Sequence, residues 1–129
     1  MADLEKLKYT KTHEWIRVEG NKGVVGITDH AQQEISDVVF VEVPALGKTV
    51  GAGEEAAVVE SVKSAFSIYA PVAGKVARAN EELAKNPGRV NAAPYAEGWI
   101  FELEGIDAGN LEGLMDLPQY EQFVQGKEA

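Results

Sequence analysis

Glu60-Ser61-Val62-Lys63-Ser64-Ala65-Phe66-Ser67-Ile68-Tyr69-Ala70-Pro71-Val72-Ala73-Gly74 sets one lysine between two short β-prone runs. Ala57-Val58-Val59 precedes the turn and Ile68-Tyr69-Ala70 follows it, so the spacing predicts a hairpin at about 57–70. Glu60, Ser61, Ser64 and Ser67 keep the turn small and wet, and Lys63 falls at or near its tip, displayed outward. An amine so placed suits a modifying enzyme, because acylation converts a point charge into a neutral tether. Surface turns also commonly carry a lysine with no such role. Spacing alone leaves both readings open.

The chain around this hairpin reads as short strands with few helices, hence mainly β. Glu14-Trp15-Ile16-Arg17-Val18 and Val24-Val25-Gly26-Ile27 flank Gly20-Asn21-Lys22-Gly23, a second hairpin. Asp29, with Gln32 three residues on, predicts a capping box that opens a short helix through Ile35 and puts His30 in its first turn. Val38 to Val43 reads as a buried strand ended by Pro44. Gly98 to Glu104 predicts a strand with Trp99, Phe101 and Leu103 on one face. A C-terminal helical segment at about 107–126 follows from the spacing of Leu111, Leu114, Met115, Tyr120, Phe123 and Val124, with Pro118 suited to a first turn. No linker divides these pieces, so residues 1–129 are expected to form a single domain.

A weak repeat adds topology. Gly47-Lys48 through Ala57 lies on Gly74-Lys75 through Ala84, sharing Gly-Lys, Ala, Glu-Glu and Ala at a constant offset of 27. Two similar halves related by a pseudo-two-fold, with Lys63 between them, would produce it. So would chance in a chain rich in Ala and Glu.

Composition narrows the chemistry. The 45% hydrophobic fraction supports an ordinary core, and zero cysteines remove disulfides and thiolate metal sites. A net charge of −9 argues against nucleic acid, which needs a basic patch, and no run is long enough for a membrane span. The start Met1-Ala2-Asp3-Leu4-Glu5-Lys6 lacks an apolar signal core, and its acids argue against a transit peptide. His13 and His30 are the only histidines; without a ligand spacing they read as packed or surface residues, and no metal site is expected. Trp15, Trp99, Phe40 and Phe101 read as core. No phosphate loop, zincin motif or nucleophile elbow occurs, so catalytic residues are not expected.

Glu60-Ser61-Val62-Lys63-Ser64-Ala65 with Ile68-Tyr69-Ala70-Pro71-Val72-Ala73-Gly74 resembles the lipoyl-lysine signature of glycine cleavage system H proteins. Further blocks resemble that family in the same order: Leu7-Lys8-Tyr9, His13-Glu14-Trp15, Gly26 to Gln32, Val39-Phe40-Val41 with Pro44 and Gly47, Val90-Asn91, Pro94-Tyr95 and Gly98-Trp99. The resemblance implies a barrel-sandwich hybrid of the lipoyl/biotinyl-domain kind, with short peripheral helices and a C-terminal helix. It implies lipoate joined to Lys63 by an amide; a lipoate-attaching enzyme that reads the hairpin must meet its surface, where Val62 and Ala65 make the apolar part and Glu60 gives a charge. The arm would take an aminomethyl group from glycine decarboxylase (P protein), offer it to aminomethyltransferase (T protein) and be reoxidised by dihydrolipoamide dehydrogenase (L protein).

A thio-aminomethyl adduct in water loses ammonia and formaldehyde, and the family shelters the loaded arm in a surface cleft. The resemblance assigns Glu14 to the cationic amine and keeps a hydroxyl at Thr12. Ser67 stands where many members have Asp, which removes one carboxylate. The implied carrier is a monomer without catalytic activity, in a bacterial-type cytoplasm, or in the mitochondrial matrix for a processed organellar form.

Other readings of the lysine differ at its neighbours. A lipoyl domain of a 2-oxoacid dehydrogenase carries Asp-Lys-Ala and a biotinyl domain Met-Lys-Met, whereas Val62 and Ser64 flank Lys63. A Schiff-base lysine needs a desolvated pocket, which an exposed tip lacks. An H-like protein that relays lipoate to other carriers shares the lysine and the fold, and remains the alternative.

Overall fold

The computed structural model describes residues 4–128, without the side chains of 108, 127 and 128. Met1-Ala2-Asp3, used above to argue against a targeting segment, lies outside the described residues. The strands are β1 (Lys8–Tyr9), β2 (Glu14–Glu19), β3 (Lys22–Ile27), β4 (Val38–Glu42), β5 (Thr49–Val50), β6 (Glu55–Ser61), β7 (Ala65–Tyr69), β8 (Gly74–Ala79) and β9 (Phe101–Glu104). The α-helices are α1 (Asp29–Ile35), α2 (Glu82–Lys85), α3 (Arg89–Ala92) and α4 (Leu117–Glu128), and a 3-10 turn covers Ala108–Gly113.

The strands form two antiparallel sheets, ordered β1-β2-β3-β9-β8-β5 and β4-β6-β7. Strand alternation decides what lies between them. Ile16 from β2, Val25 and Ile27 from β3, Val59 from β6, Ile68 from β7 and Leu103 from β9 share one buried core. Trp15 and Val24, on the opposite face of the same strands, join a second core with Leu7, Tyr9 and Tyr120. Phe123 and Val124 of α4 pack against that outer core, so the C-terminal helix covers the back of the larger sheet. Burying a large apolar side chain stabilises by about 1.5–3 kcal/mol, and both faces of the six-stranded sheet gain from it.

The β2–β3 hairpin turns at Gly20, whose φ of 62° needs no Cβ penalty. The repeat has a partial counterpart. Thr49 and Val50 of its first copy pair antiparallel with Lys75 and Gly74 of the second, as a local two-fold requires. Beyond them the copies part, because Glu55-Ala56 begins a strand and Glu82-Leu83 a helix.

Several local expectations change. The cap of α1 is Thr28, whose hydroxyl accepts from the Ala31 N–H at 3.2 Å. Asp29 instead stands inside the first turn and accepts from the Gln32 and Gln33 side chains. β4 is not buried throughout: a bulge between Val38 and Phe40 turns Val39 (52% exposed) and Phe40 (48%) outward. Trp99 precedes β9 and packs on the outer core under Arg78, while Ile100, Phe101 and Leu103 are buried in the inner one.

Gly26 lies opposite Trp15, and a Cβ there would meet the indole ring at 2.7 Å. That ring cannot swing away, because its N–H donates to the carbonyls of Ile27 and Pro94 at 3.0 Å each. Gly26→Ala is expected to cost about 1–3 kcal/mol by overpacking. Gly88→Ala, with φ −63° and nothing near its Cβ, should be neutral or slightly stabilising. Urea-unfolding midpoints for the two proteins check this, and equal midpoints would contradict the packing assigned to Trp15.

Candidate functional site

The lysine hairpin is closed by a serine. Ser61 N–H donates to the Ser64 carbonyl at 2.8 Å, leaving Val62 and Lys63 as the turn residues. Neither has positive φ, so the primed turns usual for two-residue hairpins are excluded. The Ser61 hydroxyl supports the turn instead, accepting from the N–H groups of Lys63 and Ser64 at 3.3 and 3.2 Å. Lys63, Ser64, Ala65 and Val62 (77%) are exposed, and Glu60 is half-buried across from Phe40. Val62 and Ala65 thus form an apolar surface on either side of the lysine.

A second hairpin shapes the other half of the site. Thr10 accepts from His13 N–H at 3.1 Å and donates its own N–H to Glu14 at 3.0 Å. This is a three-residue loop, Lys11-Thr12-His13, whose last residue takes the left-handed conformation with φ 72°. Histidine there costs on the order of 1–2 kcal/mol relative to glycine. The strain is offset by contacts of the ring: His13 Nδ1 lies 2.7 Å from the Tyr120 hydroxyl, which lies 2.7 Å from that of Thr28. Burial pushes the Tyr120 phenol up to about 12, so it stays protonated and hydrogen-bonding at neutral pH.

Glu14 begins β2 on the face shared with Ile16 and is 1% exposed. Its Oε1 accepts from the hydroxyls of Thr10 (2.6 Å) and Thr12, and its Oε2 accepts from Tyr69 N–H at 3.2 Å. One carboxylate therefore ties the loop of the larger sheet to the end of β7 in the smaller one. Burial raises its pKa above the usual carboxylate range, and the hydrogen bonds from Thr10, Thr12 and Tyr69 oppose that rise.

Between the two hairpins lies a cleft of about 100 Å³. Thr12, Ser67 and Glu34 supply polar lining, and Ile27, Ile35, Phe66 and Ile68 are among its apolar walls. Glu14 stands behind Thr12 rather than in the wall. Ser67 donates its hydroxyl to Glu55 Oε2 at 2.7 Å, which brings a carboxylate to a position where the side chain itself carries none. Thr12 and Ser67 thus share one cleft with Glu34, while Glu60, Val62 and Ala65 cluster at the lysine turn. Glu34 escaped the sequence reading. Its signal is the spacing His30-Ala31-Gln32-Gln33-Glu34, which puts acid and histidine on one helical face.

The fold is a barrel-sandwich hybrid, and the tight turn that carries Lys63 faces solvent beside a mixed polar and apolar cleft. The chain belongs to the glycine cleavage H-protein family, whose model matches residues 7–127. A glycine cleavage system H protein from Beijerinckia indica is 55% identical over 118 residues, covering 92% of this chain and 95% of the relative. The mitochondrial glycine cleavage system H protein 2 of Arabidopsis thaliana is 48% identical over 126 residues, covering 98% and 81%. The crystal structure of a glycine cleavage system H protein from Mycobacterium marinum superposes with a TM-score of 0.81 at 27% identity, covering 97% of this chain and 98% of that one. Relatives thus occur in bacteria and in plant mitochondria. Among the described residues no helix is long and apolar enough to cross a membrane.

Glu14 gives this site a pH signature. Its folded-state pKa is raised, so the folded chain keeps this proton to higher pH than the unfolded chain does. Stability therefore falls as pH rises from about 4.5 through the raised value, with a slope of at most about 1.4 kcal/mol per unit from this group. Glu14→Gln removes that component and sets an amide against Tyr69 N–H, so it should be the less stable protein at low pH. The gap between parent and variant should narrow as pH rises, measured by thermal unfolding from acid to neutral pH. Parallel curves would show that Glu14 ionises as freely folded as unfolded.

Proposed function

We propose that this chain is the lipoyl-bearing shuttle of glycine cleavage, with lipoate in amide linkage to Lys63. The observation that carries the proposal is an exposed lysine on a serine-closed turn, four residues before a cleft residue, Ser67, on the strand that leaves the turn. Four residues of fully extended chain span at most about 13 Å, and a lipoyl-lysine arm of roughly ten bonds reaches about 14 Å. The cleft offers an apolar wall for a dithiolane and polar groups for an amine, so its residues fit the group. When attached, the lipoyl group supplies a disulfide that accepts the aminomethyl group from the P protein, yields it to the T protein and is restored through the L protein.

The chain's own residues present, shelter and release. Val62, Ala65 and Glu60 form the surface that the lipoate-attaching enzyme reads. The Thr12 hydroxyl donates a hydrogen bond to Glu14, so its oxygen is polarised to accept an N–H from a cationic amine in the cleft. Glu14 acts as a positioning residue behind it, and Ser67 holds Glu55 nearby as a further source of negative charge. The net charge of −9 speeds encounter with basic partner surfaces and favours a monomer that enters partner clefts alone. The bacterial cytoplasm is the proposed compartment, or the mitochondrial matrix for an organellar form.

Attachment is tested by intact and peptide mass after expression with lipoate. Lys63→Arg keeps the charge and takes up no lipoyl group, because guanidinium is not acylated under these conditions. A lipoyl group on Lys48 or Lys75 would contradict the assignment.

Shelter is tested separately. Thr12→Val keeps the shape of the wall and leaves lipoylation intact. One lost charge-assisted hydrogen bond of about 1–3 kcal/mol should raise ammonia release from the loaded protein about fivefold or more. Equal release from parent and variant would mean that the amine does not rest on Thr12.

A further inference from the structure

His13, His30 and Glu34 come from two elements, the strained loop before β2 and the first two turns of α1. Their ligating atoms all lie within 4.8 Å of one another. His30 Nε2 and Glu34 Oε1 are 3.3 Å apart, and their i, i+4 spacing sets them on one face of α1. A tetrahedral cation with bonds of about 2.05 Å has ligand–ligand edges of about 3.3 Å, so this pair already stands at a zinc-like separation. Closing separations of up to 4.8 Å to that edge takes a shift of about 1.5 Å at most, shared between the exposed Glu34 side chain and small rotations of the two imidazoles.

The outer groups also match what a ligating imidazole needs. His13 is held through Nδ1 by Tyr120, and Tyr120 in turn by Thr28, at 2.7 Å each. Such a partner on one ring nitrogen orients the other toward a metal and sets the tautomer. Two hydrogen-bond orders serve the chain Thr28–Tyr120–His13, and the one in which His13 Nδ1–H donates to the phenol leaves the second nitrogen unprotonated. The His13 ring also packs at a centroid distance of 4.7 Å from that of His30, which fixes the two side chains together.

We propose that His13, His30 and Glu34 form a binding site for a zinc-class divalent cation. Two imidazoles and one carboxylate are a borderline-soft donor set that suits zinc over magnesium or calcium, which favour oxygen. His13 and Glu34 both line the cleft with Thr12 and Ser67, so the fourth position opens on that cleft, to water or a thiol. Three protein ligands with one open position are the arrangement of an exchangeable site rather than a closed structural one. The site requires no lipoyl group, so its test is independent of the shuttle.

The test is calorimetric titration of zinc chloride into the tag-free, unlipoylated chain at neutral pH. One zinc per chain is expected. His30→Ala, and Glu34→Gln to a lesser degree, should weaken binding about tenfold or more, and Glu42→Gln, outside the cluster, should leave it unchanged. Neither side chain belongs to the sandwich core, Glu34 being exposed and His30 half-buried, and urea midpoints equal to the parent's are the check that the variants stay folded. Absence of uptake by the parent, or equal affinity in the parent and His30→Ala, would overturn the site.

Discussion

The carboxylate of Glu14 is the point at which the two sheets are joined on the side of the lysine hairpin. An ionisable group buried to 1% exposure is costly unless its oxygens are satisfied. Here they are, by two hydroxyls from its own loop and one backbone N–H from β7. The donors come from opposite sides of the sandwich, so losing the carboxylate leaves a part-buried N–H on one sheet and two hydroxyls on the other without this acceptor. The positive φ of His13, the placement of Thr12 in the cleft wall and the end of β7 are all set against this one group.

A division of stiffness follows. Behind the site, Trp15 is pinned by two carbonyls, and Asn91 ties the exit of α1 to β4 by accepting from Val38 N–H while donating to the Ser36 carbonyl. In front, the turn at Lys63 is held only by exposed hydrogen bonds within Ser61–Ser64. A rigid base with a small exposed tip is what the proposed tethered carrier requires, because the tether supplies the motion and the base keeps the cleft in place.

Much of this was legible in the sequence because it is local. The hairpin around Lys63 and the β2–β3 hairpin follow from turn residues between β-prone runs, and the segment after Pro118 from helical spacing. The rest depends on contacts distant in sequence. Glu14 reads as a surface acid until Tyr69, 55 residues away, is brought against it. Phe40 reads as core until a bulge in β4, invisible to period-two counting, turns it outward. Thr28 takes the cap from Asp29 because strand β3 ends one residue earlier, leaving Thr28 extended at the junction. His13 and His30 reveal nothing as separate letters, and only the loop's left-handed residue and the first turn of α1 bring them together. The motif blocks themselves have structural work: Asn91 and Tyr95 hold the two ends of α1, and Pro94 receives the indole of Trp15.

The proposed pairing of the hairpin tether with the cleft is tested most directly by two-dimensional amide NMR on the lipoylated chain. Spectra of the oxidised and the aminomethyl-loaded forms should differ at Thr12, Glu34 and Ser67, residues that meet only at the cleft. Changes confined to residues 62–64, with the cleft amides unmoved, would contradict it and leave the loaded arm in solvent.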